Sequence, residues 1–406
     1  MHNIDMSNQK KESQSFFDSL KYTFVAVIWK QPWPIWVGAL AFGFVNILMF
    51  IFARSIGVFP QMSMWGARLY NFVGVEVEAP FIPYSLKPLH LDVHSMINFG
   101  IILGVLIAAF LAREFKIRKD DWRGCLTGFI GGILMGFGTV ITPPCNVGGF
   151  FSATMALSLS GPLMAIGLIF GAYIGGLYLK SCAKKASMQL DFASAPKGMA
   201  ATVTKPSAQP YLSRVIILII VIAVSVYVSK GMSKHAGLLV FGTVFGIIVQ
   251  RSRLCFAAAF REILLNRNGS IMKAILLSLA FCTVAFTVLK SSGYKPEHFV
   301  LPAGIHTVVG GFIFGIGMVI AGGCGVGILW RSAEGYMRSW FAILGGMLSA
   351  GSWMLIYGKH VGEGWLHGKP VFLPDIFGWV GGLAAVLLFI GSFYLLIVKL
   401  EGCRNE

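Results

Sequence analysis

The sequence is short of charged residues. Only 12% of its 406 residues are Asp, Glu, Lys or Arg, whereas 56% are hydrophobic and the mean hydropathy is +0.74. A soluble globular domain carries about 25% charged residues, so a chain with half that share must place much of its surface in lipid. The apolar runs are continuous rather than alternating, which favours helices over a barrel of strands. We therefore predict an all-α, polytopic helical membrane protein.

Acidic residues are the scarcer charged type, with 17 against 33 Lys and Arg, and the formal net charge is +16. A positive excess is typical of nucleic-acid-binding proteins, but the sequence has no basic stripe with interleaved aromatic residues. In a membrane protein the same excess has a simpler origin, because Lys and Arg collect in cytoplasmic loops. The composition therefore predicts the lipid bilayer, and no nucleic acid, as a partner.

Cysteine pairs are also missing, since the seven cysteines include no Cys-x-x-Cys motif and their number is odd. A disulfide framework is therefore not indicated. Soft thiolates can bind Cu(I) or Zn²⁺, yet no histidine or second cysteine lies at ligand spacing. The sequence predicts neither a metal centre nor a cofactor. It has no evident cleavable signal peptide either, and residues 1–32 are polar, then amphipathic, like a helix that lies on the inner leaflet.

What the sequence does have is long apolar runs that can span a membrane as helices. The ten runs lie at about 34–53, 94–112, 124–142, 161–179, 212–229, 235–250, 272–289, 302–321, 339–357 and 375–398. Two shorter apolar segments, about 146–160 and 325–335, each follow a cysteine. If the short segments do not cross the membrane, the ten spans place both termini on the same side.

Basic residues orient these spans. Positive loops face the cytoplasm, so we expect both termini to be cytoplasmic. The loops rich in Lys and Arg are 113–123, 180–211 and 251–267, and the loops that are poorer in them or hold acidic residues are 54–92, 290–301 and 358–373. If the ten spans cross the membrane in alternating directions, all loops of the first set lie on one side and all loops of the second set on the other, as the positive-inside rule requires.

An internal repeat links two of the spans. The stretches GGILMGFGTVITPPCNVGG (131–149) and GGFIFGIGMVIAGGCGVGI (310–328) align without a gap and are identical at nine positions, including Cys145 and Cys324. The helix before Cys145 is predicted to run outwards and the helix before Cys324 to run inwards. The copies are therefore predicted to be inverted. Inverted repeats with broken helices are a transporter architecture, and the substrate site lies near the breaks.

The repeat divides the chain into five parts. They are a cytoplasmic amphipathic segment (1–32), a first transmembrane repeat (33–180), a basic cytoplasmic linker with a connecting span (181–233), a second, inverted repeat (234–357), and a C-terminal span with a cytoplasmic tail (358–406). Within the linker, residues 186–208 are polar and rich in Ala, Ser and Pro, and we expect them to be dispensable.

Each copy is predicted to have a helix break just before its cysteine. Pro143 and Pro144 cannot continue a helix, and Gly322 and Gly323 break the second copy by their flexibility. A new short helix is expected after each break, with its first free N–H groups pointing back at the cysteine. Such an N-terminus attracts anions. Because sulfur is soft and S–H is a weak donor, a soft sulfur-bearing anion can be held there loosely enough to leave again.

A third thiol, Cys255, follows the span 235–250 in a segment that we expect to be a cytoplasmic loop. Arg251 is either an ordinary charge of that loop or one of several arginines that draw an anion to a thiol at the inner mouth. Arg331 is spaced to pair with Glu334, or alternatively helps to hold an anion. The remaining cysteines are expected to be incidental or to serve packing: Cys125, Cys182, Cys282 and Cys403.

Two other functions are alternatives for a polytopic membrane protein of this kind. A membrane thiol oxidoreductase needs a reactive cysteine pair or a bound quinone or haem, and the sequence shows neither Cys-x-x-Cys nor an axial-ligand pattern. Electron transfer or a stable intramolecular disulfide would favour it. A membrane subunit that only supports a partner enzyme has no need of the symmetric pore that the repeat predicts.

The stretches SRLCFAAAFRE (252–262), AGGCGVGILWRSAEG (321–335) and PPCNVGG (143–149) resemble the YeeE/YedE family of bacterial inner-membrane sulfur transporters. The resemblance covers nearly the whole chain from about residue 33 and is closest to the longer, YedE-like branch, in which some members are associated with selenium metabolism. It implies a narrow thiosulfate path lined by three cysteines, along which the ion passes from thiol to thiol by S–H···S contacts. One departure is Pro-Pro-Cys-Asn, with Asn146 where a glycine is expected.

The sequence and the resemblance together predict a transporter rather than an enzyme, in the bacterial inner (plasma) membrane. Its substrate would be a small inorganic sulfur anion, foremost thiosulfate, with a selenite-like or selenosulfate-like compound as the alternative, and a cytoplasmic sulfur-carrier protein is a candidate acceptor. Cys145 would be the outer relay thiol. The candidate substrate-binding residues are Cys145, Cys255, Cys324, Asn146, Gly148, Gly323, Gly325, Arg251 and Arg331.

Overall fold

The computed structural model describes residues 31–53, 56–75, 88–142, 145–186, 209–293, 299–360 and 368–402. Its α-helices are α1 (Ile35–Phe52), α2 (Phe59–Phe72), α3 (Val93–Leu111), α4 (Trp122–Ile141), α5 (Ser160–Ala186), α6 (Gln209–Ser229), α7 (Ser233–Ser252), α8 (Phe256–Asn266), α9 (Ser270–Ser291), α10 (Ile305–Ala321), α11 (Gly325–Ala333), α12 (Met337–His360) and α13 (Leu373–Gly402). A π-helix (Asn146–Ser152) and one α-helical turn (Ala153–Met155) follow α4, and a 3-10 turn (Leu89–Leu91) precedes α3. Two-residue strands β1 (Pro302–Ala303) and β2 (Lys369–Pro370) pair antiparallel.

Each of the ten predicted spans coincides with one helix: α1, α3, α4, α5, α6, α7, α9, α10, α12 and α13. Among the described residues, eight helical stretches are long and apolar enough to cross a membrane. These observations confirm the all-α, polytopic membrane architecture. The predicted interfacial segment 1–32, apart from its last two residues, and residues 187–208 of the predicted linker lie outside the described residues.

Two half-length helices, α2 and α8, lie where the sequence analysis expected only loops, and that expectation was wrong. Both begin at a phenylalanine with almost no exposed surface, Phe59 in α2 and Phe256 in α8. The sequence did not predict α2 because this helix carries polar residues. Two of them, Gln61 and Arg68, each donate to Oδ2 of Asp92, at 2.7 and 2.8 Å. A helix that satisfies its polar groups in the protein interior lacks the uninterrupted apolar run of a membrane span.

Glycines allow the backbones of neighbouring spans to touch. A Cβ at Gly132 of α4 would overlap the carbonyl oxygen of Ala342 in α12, and a Cβ at Gly171 of α5 would overlap that of Phe312 in α10. Small residues at such contacts replace the hydrophobic driving force that is missing between helices in lipid. The abundance of glycine in the sequence therefore serves close helix packing.

The crossing of α4 and α10 shows directly that the two copies are inverted. In the sequence alignment Gly131 corresponds to Gly310 and Gly138 to Gly317. In the structure a Cβ on Gly138 would lie 2.8 Å from the carbonyl oxygen of Gly310, and a Cβ on Gly317 would lie 2.7 Å from that of Gly131. Gly138 thus contacts the residue that corresponds to Gly131, and Gly317 contacts Gly131 itself. A two-fold axis perpendicular to two antiparallel helices requires such a pair of equivalent contacts. The copies therefore run in opposite directions.

The same exchange relates the packing of the other helices. Helix α4 packs against α12 as α10 packs against α5, and α3 packs against α7 as α9 packs against α1. The half-length helices follow the rule, since α2 packs against α12 and α8 against α5. The outer helices do so as well, with α6 on α3 and α13 on α9. The structural relation therefore extends well beyond the aligned motif, while the exact division of the chain into five parts stays a prediction.

Candidate functional site

All three candidate thiols stand at the N-cap of a short helix. Cys145 precedes the π-helix, Cys255 precedes α8 and Cys324 precedes α11, each with an extended backbone. At most 1% of each residue is exposed, and none is in a disulfide. The N-terminal N–H groups of a helix have no partner within it. The sequence thus predicted correctly that a short helix follows Cys145 and Cys324, and it missed the helix after Cys255.

Cys255 and Cys324 meet at one glycine. A Cβ on Gly327 would lie 2.9 Å from Sγ of Cys255 and 3.4 Å from Sγ of Cys324, and the two thiols are close enough to interact with each other. The backbone N–H of Gly327 also donates to Sγ of Cys324, at 3.3 Å. The absence of a side chain at residue 327 therefore leaves both sulfurs open to the same space.

Cys145 lies in the other half of the molecule, at the start of the π-helix. Phe150 and Phe151 of this helix make edge-to-face contacts with Phe256, the first residue of α8, at centroid distances of 6.4 and 6.2 Å. Among the described residues, Cys145 makes no hydrogen bond to Cys255 or Cys324. The start of α8 therefore lies between the two short helices that follow the breaks, while the direct thiol contact belongs to the second half.

Asn146, which stands where a glycine was expected, connects the two halves. Its Nδ2 donates to Sδ of Met318 in α10, at 3.3 Å. Its Oδ1 is buried and has no hydrogen-bond partner in the described part of the chain. Met318 is a soft sulfur that the sequence analysis did not single out, because a methionine in an apolar helix ordinarily fills a packing gap.

The glycines at the breaks have different surroundings. Gly322 ends α10 in the left-handed region, with φ of 82°, which a residue with a side chain adopts only at a cost. Gly323 follows it, and a Cβ on Gly325 would lie 3.2 Å from Cβ of Phe59 at the start of α2. Gly148 is buried within the π-helix. The helix α2 therefore begins directly beside the N-terminus of α11.

Arg251, a predicted substrate residue, is buried in a network of protein contacts. Only 1% of it is exposed, and it donates to the carbonyl oxygen of Gln31 at 2.8 Å. Its Nη1 lies 3.6 Å from Oε2 of Glu114. A backbone hydrogen bond joins the same two segments, because the N–H of Trp33 donates to the carbonyl oxygen of Arg251 at 2.9 Å. Arg251, in the last turn of α7, therefore joins this helix to the chain before α1.

Glu334 pairs with Arg253 rather than with Arg331, so the predicted pair was wrong. Nη1 of Arg253 donates to both carboxylate oxygens of Glu334, at 2.9 and 3.0 Å, and Nη2 donates to Glu114 at 2.6 Å. Nε2 of Gln250 donates to Glu334 as well, at 2.8 Å. Burial raises the pKa of Glu334 above its ordinary value, although Arg253 acts in the opposite direction. This network joins the end of α3 to the chain between α7 and α8.

Arg331 instead donates to the carbonyl oxygen of Gly322, at the end of α10. Arg338 donates to the carbonyl oxygen of Ile320 in the same helix end. Arg338 was not among the predicted site residues, because an arginine at the start of a span has the same appearance as an ordinary cytoplasmic charge. The two side chains satisfy carbonyl groups that the end of a helix leaves free.

The described residues hold no cluster of His, Cys, Asp and Glu that could bind a metal ion. What the site offers is soft sulfur, S–H donors and helix N-termini in a buried setting, with arginines at one side. Such groups bind an anion without a buried ammonium or guanidinium in direct contact.

Known proteins that are similar to this chain are also transporters by name. The profile of the family described as "Sulphur transport" matches residues 4–174 and 251–404. The probable transporter YedE of Salmonella typhimurium is 26% identical over 392 residues, which are 92% of this chain and 94% of the relative. Its Escherichia coli namesake is 26% identical over 355 residues, 84% of this chain and 85% of the relative.

A shorter match of higher identity is to the thiosulfate transporter TsuA of Spirochaeta thermophila, at 42% identity over 113 residues. That match covers 27% of this chain and 32% of the relative. The family profile covers most of the chain, including all three thiols and the short helices that they precede. This polytopic membrane protein therefore belongs to the sulphur transport family, also known as the YeeE/YedE family.

Proposed function

We propose that the protein imports a small sulfur-containing anion, foremost thiosulfate, along a path that uses Cys145, Cys255 and Cys324. The observation that carries the proposal is the convergence of Cys255 and Cys324 on Gly327, at the start of α11, in a member of a sulfur-transport family. TsuA proteins of the same family are thiosulfate transporters by name, which supports this choice of substrate. Cys145 would receive the ion first from the outside.

The chemistry of these groups suits a transient passage. The terminal sulfur of thiosulfate is soft and accepts weak S–H hydrogen bonds, and its oxygens accept stronger ones from helix N-terminal N–H groups. Sγ of Cys324 already accepts from the N–H of Gly327, so its own hydrogen is directed to another acceptor. Several weak contacts in series bind an ion well enough to desolvate it and weakly enough to release it.

The direction of transport follows from the predicted orientation. We place the protein in a bacterial inner membrane with cytoplasmic termini, Cys145 on the outer side and Cys255 with Cys324 on the inner side. A cytoplasmic sulfur-carrier protein would then accept the product. Single-cysteine variants treated with an impermeant thiol reagent test this: Cys145 should react in intact cells and Cys324 in inverted vesicles. Labelling of both from one side would contradict the orientation.

The substrate is tested by uptake in cells that lack their own sulfur importers. Labelled thiosulfate is offered alone and against excess sulfate, sulfite, selenite or selenosulfate. We expect competition by selenosulfate, which carries an equally soft terminal atom, and weak competition by sulfate, which has none. Stronger uptake of a selenium compound than of thiosulfate would replace thiosulfate by the selenium alternative.

The proximity of Cys255 and Cys324 also allows a test of the oxidoreductase alternative. A transporter keeps both thiols reduced through its cycle, whereas an oxidoreductase passes through a disulfide. Trapping of free thiols during uptake, followed by mass spectrometry, distinguishes the two. A Cys255–Cys324 disulfide that forms and disappears with turnover would overturn the thiol path as proposed.

A further inference from the structure

Two guanidinium groups converge on the end of α10, two residues before Cys324. A Cβ on Gly322 would lie 3.8 Å from Nη1 of Arg331 and 3.8 Å from Nε of Arg338. Arg331 comes from α11 and Arg338 from the start of α12, and each donates to a carbonyl oxygen of α10. Two cations therefore share one small region of backbone next to the thiol pair.

The C-terminal end of a helix repels an anion. Helix α10 ends at Ala321, three residues before Cys324, and the C-terminus of a helix carries about half a negative elementary charge. An anion at the thiol pair would therefore lie near this negative helix end. The positive charges of Arg331 and Arg338 offset that negative end, and Arg331 has N–H donors beyond the one that bonds the carbonyl oxygen of Gly322, since a guanidinium has five.

The carboxylate that is nearest to Arg331 along the chain does not form an ion pair with it. Glu334 lies three residues further along the chain, but it is bonded to Arg253 and Gln250. Within the described residues Arg331 makes no ion pair, and its side chain is only half buried. A third arginine, Arg261 of α8, is close enough to interact electrostatically with Arg331. Three arginines therefore lie on this side of the thiol pair, with Glu262 beside Arg261 and Asp120 close enough to interact with Arg338.

We propose that Arg331 and Arg338 form an exit site, which takes the anion from the Cys255–Cys324 pair on its way to the cytoplasm. This inference rests on the proposed transport of a sulfur anion. The planar fork of an arginine matches two oxygens of a tetrahedral oxyanion. The exit site thus recognises the oxygens of the ion, whereas the thiols recognise its sulfur. It should accept sulfate as readily as thiosulfate, although the thiol path should not.

Kinetics from the two sides of the membrane test the proposal. In proteoliposomes of known orientation, Arg331→Gln and Arg338→Gln should lower the maximal rate of inward transport about 10-fold each, which is the size expected for one charge-assisted hydrogen bond. The apparent KM for thiosulfate on the outer side should stay within about 2-fold, because the outer site is unchanged. Arg→Lys variants, which keep the charge, should recover part of the rate.

A matched control is Arg123→Gln, which removes an exposed charge from the start of α4 at the same predicted membrane face. It should leave both constants unchanged. The amount of each variant in the membrane is measured first. If wild type transports thiosulfate and both glutamine variants transport as fast as Arg123→Gln, the exit site is wrong and the transport function stands. If wild type itself transports no sulfur anion, the proposed function is wrong.

A second measurement separates binding from mere support of the helix end. Sulfate added to the medium of inverted vesicles, which is in contact with the cytoplasmic face of the membrane, should slow the reaction of Cys255 with an impermeant thiol reagent. This protection should disappear in Arg331→Gln and Arg338→Gln and remain in Arg123→Gln. If sulfate protects equally in all of them, the two arginines only cap α10, and the exit site is refuted.

Discussion

The two inverted copies share a backbone plan but differ in charge. Residues 124–179 of the first copy include no Asp, Glu, Lys or Arg, whereas the matching residues 303–358 include Arg331, Glu334 and Arg338. By the alignment, Arg331 and Arg338 correspond to Ser152 and Leu159. The two copies thus share a symmetric frame, and only the second copy carries charged side chains within these matching ranges. This positive side is the one where we propose that the anion leaves the path.

The breaks differ in their chemistry as well. The first copy uses a proline pair before a π-helix, and the second uses two glycines before an α-helix. The half-length helices show a similar contrast, because α8 begins after Cys255 and its counterpart α2 begins after Val58. Thiols therefore precede two short helices in the second half and one in the first. In the proposed path, the inner part is therefore richer in thiols than the outer part.

The largest effect is expected from the thiols, and it asks whether both halves act on the substrate. Cys145→Ala, Cys255→Ala and Cys324→Ala should each lower thiosulfate uptake about 100-fold, the upper end for loss of one contact to a charged group. Ser should fail nearly as badly as Ala, because oxygen keeps the donor but loses the polarisability of sulfur. The readouts are initial uptake rate and growth on thiosulfate.

Cys125→Ala and Cys282→Ala serve as controls for that experiment. Cys282 packs against Gly43 of α1, so its replacement should change stability more than transport. Full activity of a Cys145→Ala, Cys324→Ala double variant would show that these cysteines are only small packing residues at two helix breaks.

A smaller effect is expected at the glycine that joins the two inner thiols. Gly327→Ala places a methyl group 2.9 Å from Sγ of Cys255 and should lower uptake about 10-fold by separating the sulfurs. Gly391→Ala in α13 is the control, since a Cβ there meets nothing within 4 Å. Equal uptake by the two variants would mean that the contact between Cys255 and Cys324 has no part in transport.

The ion network of the inner side should contribute to stability. Glu334→Gln should destabilise the protein by roughly 2 kcal/mol, less than the 3–5 kcal/mol of a fully buried pair, because 28% of the Arg253 side chain is exposed. The midpoint of thermal unfolding in detergent measures this. Glu401→Gln breaks the more exposed pair with Lys273 and should cost less than about 1 kcal/mol. A larger loss for Glu401→Gln than for Glu334→Gln would contradict the importance of the network.

The smallest effect is expected where the first break departs from the second. Asn146→Gly gives the first copy the residue that Gly325 supplies in the second, and it removes the contact with Met318. We expect uptake to change by no more than about 3-fold, as for loss of one neutral hydrogen bond. The ratio of thiosulfate to selenosulfate uptake is the sensitive readout. An unchanged ratio would exclude Asn146 from substrate choice.

Much of the fold could be predicted because its signals are local. Apolar runs identify the ten spans by their length alone, and the glycines and prolines beside Cys145 and Cys324 mark helix breaks by their backbone chemistry. The repeat, combined with the positive-inside rule, predicted the inverted arrangement that the crossing of α4 and α10 shows. The helix α2 escaped prediction because its polar side chains are satisfied by Asp92, a residue outside the helix.

The sequence by itself determined the class of protein and the two breaks, since these follow from hydropathy and from residues that interrupt helices, and it singled out three thiols as candidates. Only the tertiary structure decided that Cys255 meets Cys324, that Glu334 pairs with Arg253, and that Arg338 joins Arg331 at the end of α10. The physical reason is range. Helix breaking and membrane insertion depend on neighbours along the chain, whereas thiol contacts and ion pairs depend on how distant helices pack.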